Sequence, residues 1–120
     1  MNKMCTRCSY DELQAGVTAT STAATGNAAE NLARQAVPNG ASGVICSHWQ
    51  NADNVRFDAN CVYNTTVHRT TQAHCAGRFR GYHEPSQQQL NAEQQSITAA
   101  RNAVPQGATN VDCDTWRARA

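Results

Sequence analysis

Ala33-Arg34-Gln35-Ala36-Val37-Pro38-Asn39-Gly40-Ala41-Ser42-Gly43-Val44-Ile45-Cys46-Ser47-His48-Trp49 recurs 67 residues later as Ala100-Arg101-Asn102-Ala103-Val104-Pro105-Gln106-Gly107-Ala108-Thr109-Asn110-Val111-Asp112-Cys113-Asp114-Thr115-Trp116, with ten of the seventeen positions identical. The same shift carries Cys8 onto Cys75, and the pattern reads as an internal duplication. Each copy has the punctuation of a helix running into a strand. Pro38 and Pro105 disfavour helix at the residue before them, Gly40 and Gly107 permit left-handed backbone, and Ala41 and Ala108 let helix and sheet approach closely. In the strand that follows, Val44, Cys46 and His48 fall on one face, and Ile45, Ser47 and Trp49 on the other.

Outward from the copies, Asn27 with Glu30 suits a helix start, and Ala29, Leu32, Ala33 and Ala36 recur at helical spacing. Ser86 with Gln89 has the capping-box form, and Leu90, Ile97, Ala100 and Val104 make the apolar stripe of a longer second helix. Val17 to Thr22, Cys61 to Thr71 and Cys75 to Tyr82 are strand candidates, with Gln72, Ala73 and His74 as a hairpin turn between the last two. Ser9 with Glu12 suggests a single helical turn near the start of the chain.

These elements predict one α+β domain over residues 1–120, built from two β-α-β repeats (8–49 and 75–116) joined by a polar connection and an extra strand within 50–74. Right-handed crossovers would arrange them as a ferredoxin-like two-layer sandwich, with two helices on one face of an antiparallel or mixed sheet. Six cysteines in 120 residues favour a disulfide framework and an oxidising compartment. Spatial equivalence of the copies predicts Cys8–Cys46 and Cys75–Cys113, which leaves Cys5–Cys61.

Ten Lys and Arg stand against nine Asp and Glu, for a formal charge of +1. This balance does not favour nucleic acid as a partner, because phosphate binding calls for a clustered basic excess. No apolar run is long enough to span a membrane. The first residues lack the apolar stretch of a secretory signal, so an exported protein would have its leader absent from this sequence. The Pro-x-Gly-Ala-x-x-Val-x-Cys run after each helix resembles the helix-Gly-Ala-strand element of small bacterial periplasmic proteins and outer-membrane lipoproteins. That resemblance implies a bacterial envelope location, and the cysteine content fits a periplasmic or secreted protein.

Three classes of function are compatible with these residues. The leading one is a non-enzymatic, disulfide-bonded module that binds another protein, as an inhibitor, immunity factor or envelope accessory subunit. Its contact residues would be Trp49 and Trp116, which end both copies at the same place, with Asp112 and Asp114, where the second copy has diverged from Ile45 and Ser47. The second is a small secreted hydrolase of ribonuclease type, with His83, Glu84, Arg80 and His68 supplying acid–base chemistry. The third is a cytosolic zinc domain using Cys5-x-x-Cys8, although the second matched pair that a structural zinc site needs is missing. No cofactor fingerprint and no complete metal-ligand set is present.

Overall fold

The computed structural model describes residues 1–81 and 86–120. The elements in chain order are β1 (Asn2–Ala23), α1 (Gly26–Ala36), β2 (Ser42–Gln50), β3 (Phe57–Thr70), β4 (His74–Phe79), α2 (Gln87–Asn102) and β5 (Thr109–Arg119). The protein is α+β, with a five-stranded antiparallel sheet, two helices and three disulfides. It divides into two compact units, Met1–Glu12 with His68–Ala120, and Leu13–Val67.

In the first unit β1 is the central strand, antiparallel to β4 at Cys5↔Cys75 and to β5 at Cys8↔Cys113. Helix α2 connects β4 to β5. Ser86 caps it as the sequence predicts, its hydroxyl accepting from the Gln89 amide at 3.2 Å. The buried stripe of α2 is Gln89, Ala92, Ser96 and Ala100, whereas Leu90 is exposed. Small side chains win this face because the sheet comes very close. A Cβ on Gly77, whose φ is +80°, would lie 2.5 Å from the Ala92 Cβ. Beneath the helix, the buried Thr6 hydroxyl shares hydrogen bonds with Ser96 (2.8 Å) and Thr115 (2.9 Å), and Met4, Phe79 and Ala92 form the apolar core.

In the second unit β3 pairs antiparallel with β2 at Cys46↔Cys61, and the sheet order places β3 between β2 and β1. Thr25 caps α1 through a hydrogen bond from the Ala28 amide. The helix buries Gly26, Ala29 and Ala33 against Ala19, Ala59, Cys61 and Tyr63, while Leu32 stays exposed. Alanine methyls yield little burial free energy, about 0.8 kcal/mol per carbon, so covalent links carry weight in this small core. The β2–β3 connection is organised by Asp53, whose carboxylate accepts from the Val55 and Arg56 amides and pairs with the Arg56 guanidinium at 3.0 Å. These hydrogen bonds, the Val55 amide first, hold the Asp53 carboxyl below its usual range.

The two Pro-x-Gly-Ala turns have matching geometry. Gly40 and Gly107 each have φ of +85°, and the Ala41 and Ala108 amides bond back to the Pro38 and Pro105 carbonyls at 3.2 and 3.3 Å. Several sequence expectations need correction. Residues Ser9–Glu12 belong to strand β1 and form no helical turn. No hairpin is made at Gln72–His74: β4 pairs with β1, and the Thr71 amide donates to the Cys8 carbonyl at 2.8 Å.

The disulfides are Cys5–Cys75, Cys8–Cys113 and Cys46–Cys61, not Cys8–Cys46, Cys75–Cys113 and Cys5–Cys61. Each joins residues directly opposite on neighbouring strands, with Cα atoms 4.0 Å apart. Cys75–Cys113 is excluded because β1 lies between β4 and β5, and two strand spacings, roughly 9.5 Å, exceed the roughly 7 Å that a disulfide can span. Cys8–Cys46 and Cys5–Cys61 fail because Cys46 and Cys61 are each other's register partners, as Cys8 is of Cys113 and Cys5 of Cys75. In the chain-entropy account, the 15-residue separation of Cys46–Cys61 corresponds to about 3 kcal/mol, and the 105-residue separation of Cys8–Cys113 to nearly 5 kcal/mol.

The closeness of α2 to β4 gives a direct test. Gly77→Ala combines left-handed backbone with a clash against Ala92 and is expected to cost roughly 2–4 kcal/mol. Gly40→Ala has the same backbone strain but nothing within 4 Å, and should cost only about 1–2 kcal/mol. Urea denaturation of the oxidised protein measures both, and equal losses would show that the Gly77–Ala92 contact is not limiting.

Candidate functional site

The residues singled out from the sequence separate between the two units. In the first, Trp116 lies on the sheet face opposite α2, and the Arg7 guanidinium sits over its ring at 5.6 Å from the centroid. Arg7 is also the cross-strand partner of Asp114. Asp112 and Asp114 are both exposed, and the Asp112 carbonyl accepts from the Ser9 hydroxyl at 3.4 Å. Trp116 is thus covered by a cation from its own chain.

The second unit presents a different face. With Ala59, Cys61 and Tyr63 turned toward α1, the alternate residues of β2 and β3 point away from that helix. Ile45 is 73% exposed and sits directly opposite Val62, which is 38% exposed. Trp49, four residues along β2 on the same side, is 49% exposed and stands opposite Asp58. Asp58 is held in place: Oδ1 accepts from the Thr22 hydroxyl at 2.6 Å, and the Asn51 amide reaches Oδ1 and Oδ2 at 3.2 and 3.1 Å. A recess of about 300 Å³ opens among Thr20, Ser21, Thr22, Trp49, Asp58 and Ala59.

Two histidine–carboxylate pairs also form. His68 Nδ1 lies 2.8 Å from Asp11 Oδ1, and Asn110 donates to Asp11 Oδ2 at 2.8 Å, so the carboxylate is held from both sides in the first unit. The amide of Asn110 and then the imidazole of His68 hold the Asp11 carboxyl below its usual range. The His68 side chain is 67% exposed. In the second unit His48 Nδ1 lies 2.7 Å from Glu30 Oε1, with the imidazole edge-on to Phe57 and packed over Gly26.

Of the proposed acid–base residues, His68 has a carboxylate partner in Asp11. Arg80 is exposed, while His83 and Glu84 lie outside the described residues. The sulfurs of Cys5 and Cys8 are both committed to disulfides and are not thiolate ligands. Among the described residues no group of three His, Cys, Asp or Glu side chains is arranged to hold a metal.

Sequence reasoning missed Asp11, Asn110 and Asp58. Asp11 was hidden by its capping-box context, and Asp58 by its place in a polar connection. A usable signal for Asp58 lay in the β-branched run after it, which continues back through Phe57 as one strand. Comparison with family models, with curated proteins and with solved structures returns no match.

Because its carboxyl is lowered, Asp11 contributes stability that is present above the ordinary aspartate range and lost as pH falls through its depressed folded value. Carboxyl-carbon NMR titration should show this midpoint below that of an ordinary aspartate. Asn110→Gly, which tolerates the φ of 52° at that position, should raise it more than His68→Ala does. No response to Asn110→Gly would refute the assigned cause.

Proposed function

We propose that this protein is an exported, non-enzymatic module that binds another protein through the open sheet face of its second unit. The observation that carries the reading is the juxtaposition of Ile45, Val62 and Trp49 on that face. Exposed aliphatic and aromatic side chains gathered on one surface mark contact sites, and tryptophan is among the residues enriched at binding hot spots. A rigid scaffold also lowers the entropy lost on binding, and the cross-strand disulfide Cys46–Cys61 supplies rigidity to this unit. Disulfides of this density are typical of oxidising extracellular compartments, which supports a periplasmic or secreted location and a role as inhibitor, immunity factor or envelope accessory subunit. A duplicated origin for residues 8–49 and 75–116 is supported by the ten identities and by the matched turns at Gly40 and Gly107, and a ferredoxin-like arrangement by the strand-helix-strand order of each stretch.

In this reading the first-unit residues Trp116, Asp112 and Asp114 contribute less than Trp49, because Arg7 already covers the Trp116 ring. The oxidised protein, immobilised and exposed to envelope extract of its source cell, should retain a partner that Ile45→Lys releases. Ile45 is exposed enough for that variant to keep all three disulfides, which a thiol count verifies. Retention of the same proteins by wild type and Ile45→Lys would overturn the proposal.

A second reading, hydrolysis of RNA, is supported by the Asn110–Asp11–His68 arrangement, in which a fixed carboxylate orients an exposed imidazole as acid–base chemistry requires. Incubation with RNA should then give cleavage that His68→Ala abolishes. Absence of cleavage, or equal cleavage by both proteins, removes it.

A further inference from the structure

We propose that the recess beside Trp49 receives an arginine side chain of the protein partner, stacked on the indole and forked onto the Asp58 carboxylate. The inference rests on the protein-binding reading above and names the chemistry of the partner's contact.

The two units supply the argument by comparison with each other. The disulfide registers Cys46↔Cys61 and Cys8↔Cys113 align β2 with β5 and β3 with β1. Counting from the cysteines, Trp49 corresponds to Trp116, and Asn60 to Arg7. In the first unit the guanidinium of Arg7 lies over Trp116, next to Asp114 across the strand pair. In the second unit the equivalent position is Asn60, which carries no charge, and Trp49 is half exposed. Among the described residues the guanidinium stacked on a tryptophan is that of Arg7 alone.

The second unit adds what an incoming cation needs. Asp58 stands directly opposite Trp49, and Thr22 and Asn51 hold its carboxylate in one orientation, so little order remains to be imposed on binding. Carboxylate oxygens together accept about four hydrogen bonds, which leaves capacity for a donor from outside. A planar guanidinium can lie flat on an indole while its edge donates to a carboxylate; the compact, strongly hydrated ammonium of lysine does both less well. The recess of about 300 Å³ is lined by Trp49, Asp58 and the hydroxyl residues Thr20 and Thr22.

The test uses the full oxidised protein and small probes: N-acetyl-arginine amide, N-acetyl-lysine amide and N-acetylglucosamine, each followed by the NMR signals of the two indole N–H groups. The arginine probe should shift the Trp49 signal saturably and leave Trp116 unmoved. Asp58→Asn should weaken this binding roughly fivefold, the range of a partly exposed ion pair. Asn60→Arg should supply the cation internally, moving the Trp49 signal toward its bound position and blocking the probe. Equal response to the lysine probe, response to N-acetylglucosamine instead of arginine, or no response of Trp49 to arginine would each overturn the inference. A failed probe titration alongside partner capture that still depends on Ile45 would leave the protein-binding reading standing and remove only the arginine.

Discussion

Cross-strand pairing of cysteines is the constraint on which the rest of this protein depends. Cys5 and Cys8 sit three residues apart on β1, so their side chains leave opposite faces of the strand. One is bonded to β4 and the other to β5, and the central strand is thereby fixed to both neighbours in a single register. In a sheet, a slip of one residue would exchange buried and exposed faces. Two covalent bonds remove that freedom without a large apolar core to enforce it. Cys46–Cys61 does the same for β2 and β3.

This covalent definition explains why the helix-facing residues can be so small. Ala29 and Ala33 in one unit, and Ala92, Ser96 and Ala100 in the other, allow the helices to lie close over their strands. The Thr6–Ser96–Thr115 hydroxyl group satisfies polar atoms that such proximity buries. Large apolar side chains are consequently available elsewhere. Ile45, Val62 and Trp49 stand on the outer surface of the second unit, where they add nothing to the helix–sheet contact.

The two similar stretches differ in chemistry at matched positions. Ile45 has Asp112 as its counterpart, and Ser47 has Asp114, so the outer face of β5 is acidic where that of β2 is apolar. Both stretches end in a tryptophan, but Arg7 covers one ring, and the other, half exposed, is flanked by the fixed carboxylate of Asp58.

Much of the local structure was legible from the sequence. The Pro-x-Gly-Ala turns, the Ser86 cap, the strand after each turn and the alternation that turns Ile45 and Trp49 away from Cys46 follow from backbone conformation and side-chain period, which act over a few residues. The cysteine content likewise pointed to a disulfide-stapled α+β protein. Tertiary structure alone decided which cysteines meet, since that depends on β3 lying between β1 and β2 and on β1 lying between β4 and β5. It also decided that alanine and serine, rather than Leu90, face the sheet under α2, because the approach permitted at Gly77 leaves no room for larger groups, and that Leu32 of α1 is likewise exposed. Asp11 meets Asn110 across 99 residues, and Thr22 meets Asp58 across 36. No local pattern encodes such pairs, because strand order and register bring them together.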